Sequence, residues 1–269
     1  MEAGFCERMC CHPVASRQVI SRRALRLSWL VFVGILQKNI SEKVITNAFQ
    51  TLESSPAPIR WVMVDDGYLH EKKGRLLSFG VDQKKFPNGW ERISDLKKPD
   101  QIRWLGIWRN FGGYMGGVSA QHKIDDIKNH LVSTSKRGMV LPNGSPEAAK
   151  AFYEKMISDT KGNGFDFVKV DFHTRTFEHY SGTADPVGAM RVNNEALEEA
   201  TREHGIPLLN CIAQPNVNSL QTKYSALTRS SPDYNQRNKN KNKCSTYRSF
   251  ASHLWMGQTV GHVSYSRSA

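Results

Sequence analysis

Apolar positions along the chain fall into short continuous runs, and between the runs lie stretches whose apolar residues recur at helical spacing. Residues 27–36 form the first run and predict a first strand. Ser41 then stands as an N-cap ahead of Val44, Ile45, Ala48, Phe49 and Leu52, which share one helical face. Residues 54–58 (S-S-P-A-P) break that helix. Residues 59–67 (I-R-W-V-M-V-D-D-G) predict a second strand closing on two aspartates and a glycine. A charged turn follows, then the irregular K-K-F-P-N-G-W of residues 84–90 and a short helix over 94–98 that Pro99 cuts off. Residues 102–108 (I-R-W-L-G-I-W) predict a third strand running into the glycine-rich F-G-G-Y-M-G-G-V of residues 111–118, a loop rather than a dinucleotide fingerprint. Ser145 followed by Pro146 marks the start of a helix that ends near residues 162–164. Further on, residues 195–204 read as a helix closed by Gly205, 207–213 and 226–234 as a fifth and a sixth strand, and 247–256 as a helix. This alternation predicts an α/β domain with a parallel sheet over residues 27–260, between an irregular leader (1–26) and a tail (261–269).

The fourth strand carries the chemistry. Residues 165–174 (F-D-F-V-K-V-D-F-H-T) are too short and too continuously apolar for an amphipathic helix. Lys169 and Asp171, two apart, point to the same face of that buried strand. A buried strand carries such a pair either as a structural ion pair or because a site there needs it. Similar residues recur at the ends of the other strands: Asp65 and Asp66, Trp108, Cys211, then Arg229 and Asp233. Each has a bland reading as well. D-D-G is a common turn or cap, a tryptophan or a strand cysteine is ordinary core, and Arg229 with Asp233 reads as a surface pair. In a (β/α) barrel, however, all of them would gather at the C-terminal rim, where carboxylates and an aromatic face are what binding and cleaving a sugar requires.

Charge adds a competing picture. The formal charge of +12 and the basic run R-N-K-N-K-N-K at 237–243 suit a nucleic-acid binder, but that run has no interleaved aromatics, and no nucleic-acid partner is expected. The cysteines (Cys6, Cys10, Cys11, Cys211, Cys244) are odd in number and irregularly spaced, unlike a disulfide framework or a zinc finger. The longest apolar run, residues 29–36, falls far short of the ~20 residues that span a bilayer, so no membrane association is expected. Arg22, Arg23 and Arg26 precede it as in a signal peptide, but no small-residue cleavage site follows, which favours the cytoplasm. Asp65, Asp66 and Asp171 around a magnesium ion are a further alternative, against which Lys169 argues by its charge.

V-D-D-G-Y (64–68), F-P-N-G-W (86–90), G-I-W-R-N-F-G-G-Y-M-G-G-V (106–118), F-V-K-V-D-F (167–172), the cysteine strand (208–213) and R-S-S-P-D-Y (229–234) occur in that order. Together with S-F-A-S-H-L-W-M-G-Q-T (249–259), they resemble the catalytic barrel of glycoside hydrolase family 36, in its branch of raffinose synthases, seed-imbibition proteins and α-galactosidases. The resemblance runs over roughly residues 39–260, and K-x-D with R-x-x-x-D is its most specific part. It implies a partial (β/α)8 TIM-type barrel with about six βα units, and a retaining hydrolase of α-galactosyl oligosaccharides. A galactosyltransferase of the raffinose synthase kind is the alternative within the family. Asp171 would be the nucleophile and Asp233 the acid/base. Asp65 and Asp66 would hold the 4- and 6-hydroxyls, and Lys169 would bind hydroxyls while favouring the ionised Asp171. Arg229 and Cys211 would lie near the 2-hydroxyl, and Trp108 would wall the pocket. No metal or organic cofactor is implied. Departures are Tyr68 where the family carries tryptophan, Pro232 before Asp233, and L-S-W-L-V-F-V-G-I-L in place of the usual first strand. The flanking β domains and the last two barrel strands have no counterpart, so the chain reads as a fragment with poor stability and weak or no activity.

Overall fold

The computed structural model describes residues 29–33, 39–57, 59–134, 139–213, 218, 221–225, 227–229 and 263–265. Among the described residues, seven parallel strands form one curled sheet in the order β1-β2-β5-β8-β9-β10-β11, a partial TIM-type barrel with helices on one face. They are β1 (Trp29–Val33), β2 (Ile59–Val64), β5 (Trp104–Asn110), β8 (Phe167–Asp171), β9 (Leu208–Asn210), β10 (Leu227–Arg229) and β11 (Val263–Tyr265). Two antiparallel hairpins stand outside the sheet: β3 (Leu69–Lys72) with β4 (Arg75–Val81), and β6 (Leu131–Ser133) with β7 (Val140–Pro142). The helices are α1 (Glu42–Glu53), α2 (Glu91–Ser94), α3 (Pro146–Gly162), α4 (His173–His179) and α5 (Pro186–His204).

Side-chain alternation along the strands divides the interior into two layers. Val62 and Val64 of β2, Leu105 and Ile107 of β5, Val168 and Val170 of β8 and Leu208 of β9 face the helices. There they join Phe152, Tyr153 and Met156 of α3 and Leu197 of α5 in the main core. The opposite parity, Trp61, Met63, Phe167, Leu209 and Leu227 with Trp104 against them, fills the inside of the curl. Trp61 stacks on Trp104 with centroids 4.2 Å apart, and Phe167 meets Trp61 edge-on at 5.4 Å. Gly106 makes room for that ring: a Cβ on it would sit 2.1 Å from Phe167 Cε2. One step further along each strand, the same parity brings up Asp65, Trp108, Lys169, Asp171, Cys211 and Arg229. The apolar plug is therefore the floor beneath the candidate site.

Local signals explain the helices. Ser41 Oγ accepts from Val44 N at 3.4 Å, and Ser145 Oγ accepts from Ala148 N at 3.2 Å with Pro146 behind it. The helix expected over 195–204 begins at Pro186, where Asp185 caps Gly188 N at 2.8 Å; Gly188 near the start masks the signal. The short helix expected over 94–98 is α2 (Glu91–Ser94) instead, capped at its end by Asp95 N bonding Glu91 O. Between 67 and 84, the expected charged turn is the β3–β4 hairpin. Val263–Tyr265, which the sequence left without an element, pairs in parallel with β10 as a further strand of the partial barrel. No described helix is long and apolar enough to cross a membrane. The leader (1–26), the basic run (237–243) and the helix expected over 247–256 lie outside the described residues.

Candidate active site

At the C-terminal end of β8, Lys169 and Asp171 share the inner face, and both are buried. The Lys169 ammonium lies 3.1 Å from Asp65 Oδ2, 3.3 Å from Asp65 Oδ1 and 3.8 Å from Asp171 Oδ2. One cation thus sits between carboxylates from β8 and from the end of β2, which is what makes three buried charges tolerable together. Asp171 has two further donors. Trp108 Nε1 donates to Oδ2 at 3.1 Å, and the Phe172 amide donates to Oδ1 at 2.8 Å. Trp108 is only 1 % exposed, with its ring edge-on to Tyr114 and Phe172. Its indole N–H, rather than an open ring face, is what it turns to the carboxylate.

The chain leaves the strand ends through strained backbone. Phe172, directly after Asp171, has φ +66°, and Ile212, directly after Cys211, has φ +47°. Neither is glycine, so each holds a left-handed conformation costing on the order of 1 kcal/mol or more. Arg175 packs over the Phe172 ring at 4.9 Å, and the Ile212 carbonyl accepts from Thr174 N (3.0 Å) and Thr174 Oγ1 (2.9 Å). Those contacts tie the exits of β8 and β9 together.

Asp66 is half-buried beside Asp65, and its amide donates to Asp65 Oδ1 at 2.9 Å. Burial raises its carboxyl above the ordinary carboxylate value. The Tyr114 hydroxyl and the Gly67 amide oppose that shift, while the negative charges of Asp65 and Asp171 add to it. Cys211 is buried, with Arg229 Nη1 donating to its Sγ at 3.3 Å. Burial pushes its thiol up to about 11, Asp171 adds to the rise, and Lys169 and Arg229 offset part of it. That thiol stays protonated and inert at neutral pH. Behind the site, His173 stacks on Phe111 at 4.3 Å with its Nδ1 2.9 Å from Asn218 Nδ2, and burial lowers its pKa to about 3. It is a neutral structural histidine.

Of the residues singled out in the sequence, Asp65, Asp66, Trp108, Lys169, Asp171, Cys211 and Arg229 come together at this rim. Asp233 lies outside the described residues. Tyr114 was not singled out; its signal is an aromatic set between two Gly-Gly pairs. Among the described residues, no group of three or more His, Cys, Asp or Glu is placed to hold a metal ion. A groove of about 480 Å³ between α3 and α5, reaching Lys150, Glu195 and Tyr224, contains none of the rim residues.

A curled parallel sheet of this topology, with charged residues at its C-terminal rim, is a partial TIM-type barrel, and known structures share that fold. An α-galactosidase from Thermus thermophilus, solved with stachyose, superposes with a TM-score of 0.60 at 17 % identity, covering 93 % of this chain and 55 % of that one. A family 27 β-L-arabinopyranosidase from Geobacillus stearothermophilus gives 0.58 at 14 % identity, covering 90 % and 60 %. A family 31 dextranase from Flavobacterium johnsoniae gives 0.59 at 12 % identity, covering 87 % and 30 %. No family model matches the chain. In sequence, it is 21 % identical over 250 residues to the Arabidopsis thaliana protein named "Probable galactinol–sucrose galactosyltransferase 6". The match takes in 78 % of this chain and 33 % of that protein, so the chain spans a third of its relative's length. The chain therefore resembles raffinose synthases in sequence and α-galactosidase catalytic barrels in fold, as its motifs led us to expect.

Proposed function

We propose that the chain acts on α-galactosyl oligosaccharides through a covalent galactosyl-enzyme. In this reading an Asp171 oxygen attacks the anomeric carbon as the bond to the leaving sugar oxygen breaks, and that oxygen takes a proton from Asp233. Water then attacks the same carbon, gives its proton to Asp233 and releases Asp171, so two inversions return the original configuration. Asp65 and Asp66 receive the 4- and 6-hydroxyls, and Lys169 binds an adjacent hydroxyl. Cys211 and Arg229 face the 2-hydroxyl, and Trp108 closes the wall behind Asp171.

The observation that best supports this reading is the setting of Asp171. Its two oxygens take an indole N–H and a backbone N–H, and a lysine ammonium stands at 3.8 Å, all at the rim of a glycosidase-type barrel. Such donors aim a carboxylate and hold it ready as a nucleophile. A second reading, with a sugar hydroxyl in place of water as acceptor, is favoured by the name of the Arabidopsis relative. The test uses 2-deoxy-2-fluorogalactosyl fluoride, which stalls the second step. Mass spectrometry of the treated chain is expected to show one added fluorogalactosyl group on the peptide carrying Asp171, and none in Asp171→Asn. An unlabelled wild-type chain overturns the proposal. Supplying galactinol with sucrose then separates the two acceptors, a trisaccharide marking transfer and free galactose marking hydrolysis.

A further inference from the structure

The pairing of β2 with β5 ends at Val64 opposite Ile107, one residue short of Trp108. Past that point the chain turns away through Asp65, Asp66 and Gly67, where Gly67 takes φ +116°. Two bonds fix the turn: Lys85 Nζ donates to Gly67 O at 2.6 Å, and Asp82 N donates to Tyr68 O at 2.8 Å. The turn brings Tyr68 back against β5, where its hydroxyl donates to the Trp108 carbonyl. The phenol thus gives that carbonyl a donor past the end of the ladder. Packing sets where the hydroxyl stands. Tyr68 is fully buried, with Trp90 edge-on to its ring at 4.9 Å and the Arg109 guanidinium 5.9 Å from its centroid. Arg109 is held in turn, donating from Nη1 to Phe79 O at 2.7 Å. Trp108 is therefore gripped twice, at its carbonyl by Tyr68 and at its indole by Asp171 Oδ2, 3.1 Å away.

We propose that Tyr68 is a positioning residue for Asp171, and that its bond to the Trp108 carbonyl keeps the indole N–H on the carboxylate. The inference rests on the proposed function for what Asp171 does, but not for the bonds themselves. Asp171 Oδ1 accepts the Phe172 amide at 2.8 Å, a donor supplied by the end of its own strand. Oδ2 takes its indole donor from a neighbouring strand, and past Ile107 that strand keeps its pairing with β8 but not with β2. A Trp108 peptide free to tilt on the β2 side would carry the indole off Oδ2, and the carboxylate could then turn about its own side-chain bond. The Tyr68 hydroxyl closes that freedom. Burial raises the Tyr68 phenol above its ordinary value, which keeps the hydroxyl protonated and a donor throughout the working pH range. The residue that follows the D-D-G turn therefore ties the acids beyond β2 to the aim of the acid on β8.

Tyr68→Phe keeps the ring between Trp90 and Arg109 and removes only the hydroxyl. Tyr68→4-fluorophenylalanine fills the hydroxyl's space without donating, and replaces Tyr68→Phe if the smaller side chain does not fold. The first readout is exchange of the Trp108 indole proton, followed by NMR on the intact chain and assigned by its loss in Trp108→Phe. In either variant that proton is expected to exchange roughly tenfold faster, the worth of one hydrogen bond, while the Trp61 indole in the floor is unchanged. The second readout is labelling by 2-deoxy-2-fluorogalactosyl fluoride at pH 7. Its maximal rate is expected to fall about tenfold with the half-saturating concentration unchanged, because Tyr68 aims the nucleophile and touches no sugar. In a Trp108→Phe background, removing the hydroxyl is expected to change that rate little, because the donor it steers is gone. An unchanged Trp108 exchange overturns the inference, as does equal quickening at Trp61. So does an undiminished maximal rate, or a rate loss that persists in full with Trp108→Phe. If Trp108 exchange alone quickens while the wild-type chain is not labelled, the hold of Tyr68 on Trp108 stands and the galactosyl-enzyme reading fails.

Discussion

The Lys169 ammonium is placed to offset both Asp65 and Asp171, at 3.1 Å and 3.8 Å. Lys169→Met keeps the length and apolar stem of the side chain and removes that charge, leaving two carboxylates crowded in a buried site. Denaturant unfolding at pH 7 is expected to show a loss of about 3 kcal/mol or more. Asp66 leads to the opposite expectation. Burial holds its folded-state pKa above the unfolded value, so the folded protein binds that proton more tightly. Its contribution to stability is therefore fully present below the unfolded pKa and is lost as pH rises through the folded one. Asp66→Asn is expected to raise the unfolding midpoint at pH 7 and to lose that advantage as pH falls below the ordinary carboxyl range. A midpoint unchanged at pH 7 would mean that Asp66 is solvated more fully than its half-buried position suggests. A residue that costs stability at working pH and is nonetheless placed at the rim fits a binding role better than a structural one.

Single strands show why some of this was legible in the chain and some was not. The two-residue spacing of Lys169 and Asp171 in an apolar run already fixed them on one face, and the same parity put Trp108 above Gly106 and Asp65 above Met63. The two hairpins were not visible, because L-H-E-K and V-L-P are short, partly exposed segments whose pairing depends on partners distant from the sheet's own pattern. The placement of the loop that carries Tyr114 follows from those hairpins, since their backbone clamps it. Gly106, by contrast, was legible as a strand residue but not as a necessity. Its lack of a side chain matters only because Phe167 of the neighbouring strand fills that space. Gly106→Ala is expected to destabilise the protein by about 1–3 kcal/mol through overpacking. Gly106→Ala with Phe167→Leu should recover part of the loss, giving a favourable coupling energy between the two sites in a double-mutant cycle. Strictly additive effects would show that the ring turns aside without cost.

At the scale of the molecule, the sheet has a centre and two ends. β2, β5 and β8 are each paired on both sides and covered by the main core, while β1 and β11 are each paired on one side, and no described strand joins them to each other. Motif order made the parallel barrel legible, whereas β11 (Val263–Tyr265) was missed because a three-residue run carries no period of its own. The candidate site reflects this uneven construction. Asp171, Lys169 and Trp108 come from the doubly paired β5 and β8, and Asp65 and Asp66 lie just past β2, whereas Arg229 comes from β10, next to the edge strand. Protection against amide hydrogen exchange should follow the same order, because an edge segment opens by breaking one ladder and a central strand opens only with the whole fold. The hydrogen-bonded amides of β8 are expected to exchange at the rate of global unfolding, and those of β11 roughly a hundredfold faster or more. Exchange read by NMR or by mass spectrometry of overlapping peptides distinguishes the two strands directly. Equal protection of β11 and β8 would show that the sheet unfolds as a single unit, and that Arg229 is held as firmly as Asp171. A graded profile would instead place Asp171 and Lys169 on the most stable part of the molecule and leave the Arg229 side free to open.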